Sequence, residues 1–166
     1  MAKVFLGLGS NVGERFGYLQ KAYDEISLRS KIISSSAIYE TEPMGKMKQQ
    51  NFFNAVIEIE TNETLDELFS FIKLLEKKIG RRARGKWESR EIDIDMLLFG
   101  NEIIETERLT VPHKEMHKRK FVLIPFVEIA PNIIHTKLQQ SMASVLKDCT
   151  DNHSVTKTHY QFQHFK

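Results

Sequence analysis

Apolar and polar positions change period along the chain, and the changes mark out its elements. Lys3 to Leu8 reads as a first strand, closed by Gly9, Ser10 and Asn11, with Gly13 just beyond. Phe16, Leu19, Tyr23 and Ile26 then recur at spacings of three and four, the apolar stripe of a helix. A second strand is predicted from near Lys31 through Ala37-Ile38-Tyr39, and a loop around Glu42-Pro43-Met44-Gly45 to Asn51 separates it from a third. In the third, Phe53, Ala55, Ile57 and Ile59 alternate with Asn54, Val56, Glu58 and Glu60, so one face is apolar throughout. Thr64 and Glu67 have the capping-box spacing that starts a helix. Leu65, Leu68, Phe69, Ile72, Leu75 and Ile79 form its stripe, and Gly80 supplies a stop. A basic segment, Arg81 to Arg90, leads into a strand from Ile92 to Phe99.

The order strand, helix, strand, strand, helix, strand predicts an α+β domain with a ferredoxin-like antiparallel sheet (a βαββαβ core) and two helices on one face. Phe121 to Ile129 and Leu138 to Leu146 read as additional C-terminal helices covering the sheet edge or rim. The tail from Thr150 is polar with scattered aromatics, and little is expected of it beyond a short closing strand.

Length and composition set the class. At 166 residues, 41% hydrophobic and 28% charged, residues 1–166 are expected to form one globular domain. No apolar stretch approaches the roughly 18 residues that span a bilayer, and Met1 to Gly7 lacks the marks of a signal peptide, so a cytoplasmic protein is expected. The 24 basic and 22 acidic residues leave a charge of +2, which requires neither a nucleic-acid nor a membrane partner. The single cysteine, Cys149, excludes an internal disulfide and a thiolate-cluster zinc site.

Candidate chemistry concentrates between residues 76 and 121. Side chains two apart on a strand share a face about 6.6–6.8 Å apart, so Asp93 and Asp95 point one way while Ile92, Ile94 and Met96 enter the core. Such a pair suits Mg2+, which needs one or two carboxylates beside water and phosphate oxygens. A polar outer sheet face explains the pair equally well on its own. The arginines at 81, 82, 84 and 90, with Lys86 and the only tryptophan, Trp87, shift that balance, because guanidinium forks fit phosphate oxygens. Glu76 falls on or beside the apolar stripe of its helix, where a carboxylate needs a partner such as Arg81 or a ligand. Arg108, His113 and Arg119 are further donors. His113 and His117 are four apart, but neither an HExxH pattern nor a cysteine supports zinc. Asn11 reads as a turn or helix-capping residue.

Taken in order, these segments resemble the 6-hydroxymethyl-7,8-dihydropterin pyrophosphokinases of folate biosynthesis. The matching runs are Leu8-Gly9-Ser10-Asn11, Tyr39 to Gly45, Phe52-Phe53-Asn54-Ala55-Val56, Gly80-Arg81, Trp87 with Arg90, Ile92-Asp93-Ile94-Asp95, Leu98-Phe99-Gly100, Arg108 to His113, Arg119, Phe121 and Glu128-Ile129-Ala130-Pro131. The resemblance implies Mg-dependent transfer of a diphosphate from ATP to the pterin hydroxymethyl group, releasing AMP. It implies that Asp93 and Asp95 hold two Mg2+ ions and that Arg81 and Arg90 reach the phosphates. Thr41, Met44, Phe52, Asn54 and Phe121 would take the pterin, with Phe52 and Phe121 sandwiching the ring. Glu76, Trp87, Arg90, Met96, Arg108, Thr110, His113 and Arg119 would take ATP. The partners are then small molecules, and a monomer is expected.

The chain departs from that pattern at several positions. Trp87-Glu88-Ser89-Arg90 stands where the family commonly has Trp-Gly-Pro-Arg. Ala83 stands where a second arginine is frequent, leaving Arg82 and Arg84 as candidates to replace it. Lys114 replaces an aromatic, and Lys46-Met47-Lys48 makes the pterin-side loop basic. Two other readings compete: a ferredoxin-like RNA-binding module using the basic segment, and a metal-dependent phosphoryl or nucleotidyl transferase acting on another heterocycle. The first lacks an RNP-like aromatic strand and a basic excess.

Overall fold

The structure, a computed structural model, describes residues 1–43, 45, 48–86 and 88–164. Its elements are β1 (Ala2–Ser10), α1 (Arg15–Ser27), β2 (Lys31–Ser35), β3 (Tyr39–Thr41), β4 (Phe52–Thr61), α2 (Leu65–Ile79), β5 (Asp93–Phe99), β6 (Ile104–Glu105), β7 (Thr110–Val111), α3 (Lys120–Ile129), β8 (Ile134–His135), β9 (Gln140–Ser141), α4 (Met142–Asp148) and β10 (Val155–Lys157). The main sheet has six antiparallel strands in the order β10-β3-β4-β1-β5, with β2 also paired to β4. The predicted βαββαβ core is present.

The strand predicted from Lys31 to Tyr39 is divided in two. β2 pairs with Ile57 to Glu60 and β3 with Phe52 to Asn54, along the edge of β4 that β1 leaves free. The break falls at Ser36, whose N–H donates to the Val56 carbonyl at 2.9 Å while its Oγ accepts from the Val56 N–H at 3.0 Å.

One face of the sheet follows the alternation read from the sequence. Val4, Leu6 and Leu8 of β1, Phe53, Ala55, Ile57 and Ile59 of β4, and Ile94 and Met96 of β5 meet Leu19, Tyr23 and Ile26 of α1 and Leu68, Ile72 and Leu75 of α2. α2 starts at the expected capping box. Thr64 Oγ1 accepts from Glu67 N at 3.3 Å, and Glu67 Oε2 accepts from Thr64 N at 2.7 Å. Thr64→Ala is expected to cost about 1 kcal/mol, read as a lower urea midpoint at unchanged m-value.

α3 and α4 cover the opposite face, not the edge or rim. Val122, Leu123 and Phe126 of α3, with Met142 and Val145 of α4, bury Phe5, Val56, Leu97 and Leu98, and the Phe5 and Phe126 rings stack at 4.4 Å. A bulge in the β1–β5 pairing leaves Leu97 without a partner between Met96 and Leu98, so two consecutive leucines serve this face. α4 is shorter than its apolar pattern predicts, because residues from Leu138 to Ser141 form a turn and β9. Ser141 Oγ then caps α4 by accepting from Ser144 N at 3.2 Å.

The tail contributes more than expected. β10 adds a strand to β3, Tyr160 stacks on Phe16 at 4.9 Å, and buried Phe162 stacks on Tyr23 at 4.6 Å. Among the described residues, no helix is long and apolar enough to cross a membrane.

Candidate active site

The site begins with two glycines in the middle of the sheet. Gly7 and Gly9 of β1 project no side chain toward the face that α3 covers further along, and they floor a cavity of about 200 Å3. Gly9 pairs with Asn54 of β4, and a Cβ there would lie 2.8 Å from Asn54 Oδ1 and 3.7 Å from the Phe52 ring. Only a bare backbone lets Asn54 sit this close. Asn54 Nδ2 donates to Thr41 Oγ1 at 2.7 Å, so the pair forms one polar edge. Phe52 and, from α3, Phe121 supply apolar walls. Gly9→Ala is expected to displace Asn54 and weaken binding of a flat heterocycle about tenfold, with a cost of about 1–3 kcal/mol for the overpacking. Titration calorimetry with a pterin would read the first, and urea denaturation the second.

The neighbouring strand supplies charge. β5 sets Asp93 opposite Gly9 and Asp95 opposite Gly7. Asp93 is engaged by Arg81 at 3.0 Å and Arg90 at 2.5 Å. Arg81 also reaches Glu76 at 2.9 Å, and Glu76 accepts from Ile94 N at 2.8 Å and pairs with Lys73 at 3.3 Å. These partners account for a carboxylate that is only 3% exposed on an apolar stripe.

Asp95 differs from its neighbour. No arginine or lysine among the described residues forms an ion pair with it; His113 Nε2 lies 3.9 Å away, and the Lys73 and Arg119 charges act on it from further off. Burial, with the Asp93 charge as second cause, pushes the Asp95 carboxyl up to about 7. Burial and then the Arg119 guanidinium push His113 down to about 4. His113 Nδ1 accepts from Glu115 N at 3.2 Å, so the neutral ring carries its proton on Nε2, facing Asp95.

A second cavity, of about 190 Å3, lies on the other side of Asp95 and is lined by Phe69, Lys73, Met96, Arg108, Thr110, His113 and Lys114. Asp95 borders both cavities. Lys73 and Phe69 were not among the residues singled out for chemistry. Phe69 carries the core periodicity, yet its ring is flanked by the Arg108 guanidinium at 5.0 Å and Lys73 Nζ at 5.5 Å. The signal for Lys73 was its position one turn before Glu76.

The expected residues therefore sort into two groups. Thr41, Phe52, Asn54 and Phe121 gather in the first cavity with Arg90, while Met96, Arg108, Thr110 and His113 gather in the second. Arg119 lines the first, its guanidinium 5.7 Å from the centre of the Phe121 ring, although it was expected on the nucleotide side. Glu76 lies against the backbone of β5 and not in either lining. Met44 and Trp87 lie outside the described residues.

Asn11 does not cap α1, which starts without a side-chain cap. It clamps the backbone of Arg90 instead: Asn11 N donates to the Arg90 carbonyl at 3.0 Å, and Asn11 Oδ1 accepts from Arg90 N at 2.7 Å. No local pattern reveals a contact between residues 79 apart in the chain.

The donor set fits a hard cation held in part by its ligand. Among the described residues, no three or more His, Cys, Asp or Glu converge on a point, so a zinc site at His113 and His117 lacks its further ligands. His117 instead faces the His135 ring edge-on at 6.3 Å. Two carboxylates suffice for Mg2+ when water and phosphate oxygens complete the shell. Asp95, raised in proton affinity and open to both cavities, is the side chain such an ion would relieve.

The fold has counterparts among solved structures. A Plasmodium falciparum HPPK-DHPS chain superposes with a TM-score of 0.68 at 17% identity, over 88% of this chain and 41% of that one. A second HPPK-DHPS structure, solved in complex with substrates, gives a TM-score of 0.68 at 16% identity over 88% of this chain and 43% of that one. The chain thus spans less than half the length of these structural neighbours. Residues 5–131 match the model of the 7,8-dihydro-6-hydroxymethylpterin-pyrophosphokinase (HPPK) family, and the chain belongs to that family. Proteins named 2-amino-4-hydroxy-6-hydroxymethyldihydropteridine pyrophosphokinase are similar along most of its length. The Aquifex aeolicus protein is 46% identical over 81% of this chain and 84% of its own. The Haemophilus influenzae protein is 34% identical over 93% of this chain and 98% of its own.

Proposed function

We propose that the protein transfers an intact diphosphate from ATP to the hydroxymethyl oxygen of 6-hydroxymethyl-7,8-dihydropterin, in the synthesis of folate. The observation that carries this reading is the pair of cavities meeting at Asp95, one with aromatic walls and an amide edge, the other cationic. Phe52 and Phe121 would hold the flat ring between them, and Asn54 with Thr41 would bind its polar edge. Lys73, Arg108 and His113 would hold the nucleotide. The hydroxymethyl oxygen would attack the β-phosphorus in line and give up its proton to solvent, the bond from that phosphorus to the α-β bridging oxygen would break, and AMP would leave with that oxygen.

Asp93 and Asp95 would hold Mg2+, two ions in this reading, and the metal would supply neutralisation of the phosphate charge. Arg81 and Arg90 rest on Asp93 in this structure and would turn toward phosphate oxygens once that carboxylate has another partner. The protein's contribution is positioning and electrostatics, since among the described residues no serine or cysteine lines either cavity. Cytoplasmic location and a monomeric state belong to the same proposal.

Incubation with Mg2+, ATP and the reduced hydroxymethyl pterin is expected to yield AMP only when the pterin is present. AMP formation without pterin, or ADP as the product, would overturn the assignment. An RNA-binding role fits less well, because the acidic pair lies among the arginines that would have to meet the backbone phosphates.

A further inference from the structure

Side chains tie together the two described limbs of the arginine segment, residues 81 to 86 and 88 to 91. Arg84 forms a two-pronged ion pair with Glu91, Nη1 to Oε2 at 2.8 Å and Nη2 to Oε1 at 2.7 Å. Arg84 Nη1 also donates to the Ser89 carbonyl at 3.1 Å, and Glu91 Oε2 accepts from Arg82 N at 3.4 Å. Glu91 is 6% exposed and lies between Arg90, whose side chain rests on Asp93, and Ile92 in the core. At the tip, Gly85 N donates to Glu88 Oε2 at 2.8 Å and Glu88 N donates to the Gly85 carbonyl at 3.3 Å. The ascending limb is therefore tied to the descending limb at two levels.

We propose that Arg84 and Glu91 are positioning residues, a staple that shapes the arginine loop, and that Arg82 serves as its second phosphate-binding arginine. This rests on the reading above in which Arg81 and Arg90 turn toward the phosphates of ATP. Both terminal nitrogens of Arg84 are already engaged in the fork, whereas among the described residues the Arg82 guanidinium meets no carboxylate. A planar fork on a nearly buried carboxylate is a geometry that arginine forms and lysine does not. The fork also accounts for Glu88-Ser89 in place of the stiff Gly-Pro of similar sequences. Here the stiffness comes from Glu88 bonding Gly85 and from the Ser89 carbonyl bonding Arg84.

Two measurements test this, and the first needs no nucleotide. Trypsin cleavage within the loop, followed by intact-mass spectrometry, is expected to be about tenfold faster in Glu91→Gln than in wild type. Arg84→Lys, which keeps the charge and loses the fork, should fall between them. Thermal melts of each variant report any global loss separately. Equal cleavage rates in Arg84→Lys and wild type, both folded, would overturn the staple.

The second measurement is calorimetric binding of a non-hydrolysable ATP analogue with Mg2+. Arg82→Ala is expected to weaken it about tenfold in both the wild-type and the Glu91→Gln backgrounds. Arg84→Ala should weaken it in the wild-type background and add nothing in Glu91→Gln. An equal loss from Arg84→Ala in both backgrounds would overturn the division of roles, because Arg84 would then touch phosphate itself. Failure of wild-type protein to bind the analogue would sink the nucleotide reading instead, while loop cleavage would still report on the staple.

Discussion

Asp95→Asn is expected to melt at a higher temperature than wild type at pH 8 while losing turnover by a factor on the order of 10^3. The two effects have one cause. In the folded protein desolvation and then the Asp93 charge push the Asp95 carboxyl up from 3.8 to about 7, and with its side chain 36% exposed solvent screens part of that penalty. Above pH 7 the native state carries a charge that is easier to keep in the unfolded chain, so wild type is penalised there. As the pH falls from 7 toward 3.8, the native state takes up a proton that the unfolded state does not, and the penalty fades. The advantage of Asp95→Asn should therefore be largest at pH 8 and vanish near pH 4. Mg2+ with an ATP analogue should raise the melting temperature of wild type and leave the variant unmoved. Paired melts across that range, with AMP release measured alongside, decide it. Unchanged turnover would remove Asp95 from the cation seat, and identical melts at pH 8 would show that its charge carries no strain.

The second large effect is expected in the tail. Phe162→Ala should cost about 3–5 kcal/mol, the range for truncating a buried aromatic, against a typical domain stability of about 5–15 kcal/mol. Phe162 stacks on Tyr23 of α1, and the segment before it pairs β10 with β3. β3 also carries Thr41, the partner of Asn54 in the first cavity. The tail thus supports the strand that borders the candidate pterin site. Urea denaturation would measure the loss. A change below about 1 kcal/mol would show that the tail only lies on the surface.

Much of this fold is written in local pattern. The alternation from Phe53 to Ile59 and the Thr64–Glu67 box each depend on neighbours within four positions, and both appear as read. The same holds for Asp93 and Asp95, whose shared face follows from strand geometry. What escaped depends on pairs distant in the chain. Ser36 breaks a strand because of Val56, and Asn11, read from the sequence as a turn or helix-capping residue, holds Arg90. Tyr160 and Phe162 look like stray aromatics until Phe16 and Tyr23 are placed beneath them. α3 covers a face because Phe5, Val56, Leu97 and Leu98 together make it apolar, which no single strand announces. Gly9 reads as a turn residue, and its role as a floor depends on the Asn54 amide opposite.

The carboxylate wall common to both cavities has a thermodynamic corollary. Anything that alters the ionisation of that wall from one side alters the affinity of the other, and by linkage the factor is the same in both directions. Loading the cationic side with a metal–polyphosphate would expel the proton that the wall retains near neutrality. Association heats should then depend on the ionisation enthalpy of the buffer. The two cavities would then behave as one cooperative unit, coupled through the carboxylate they share.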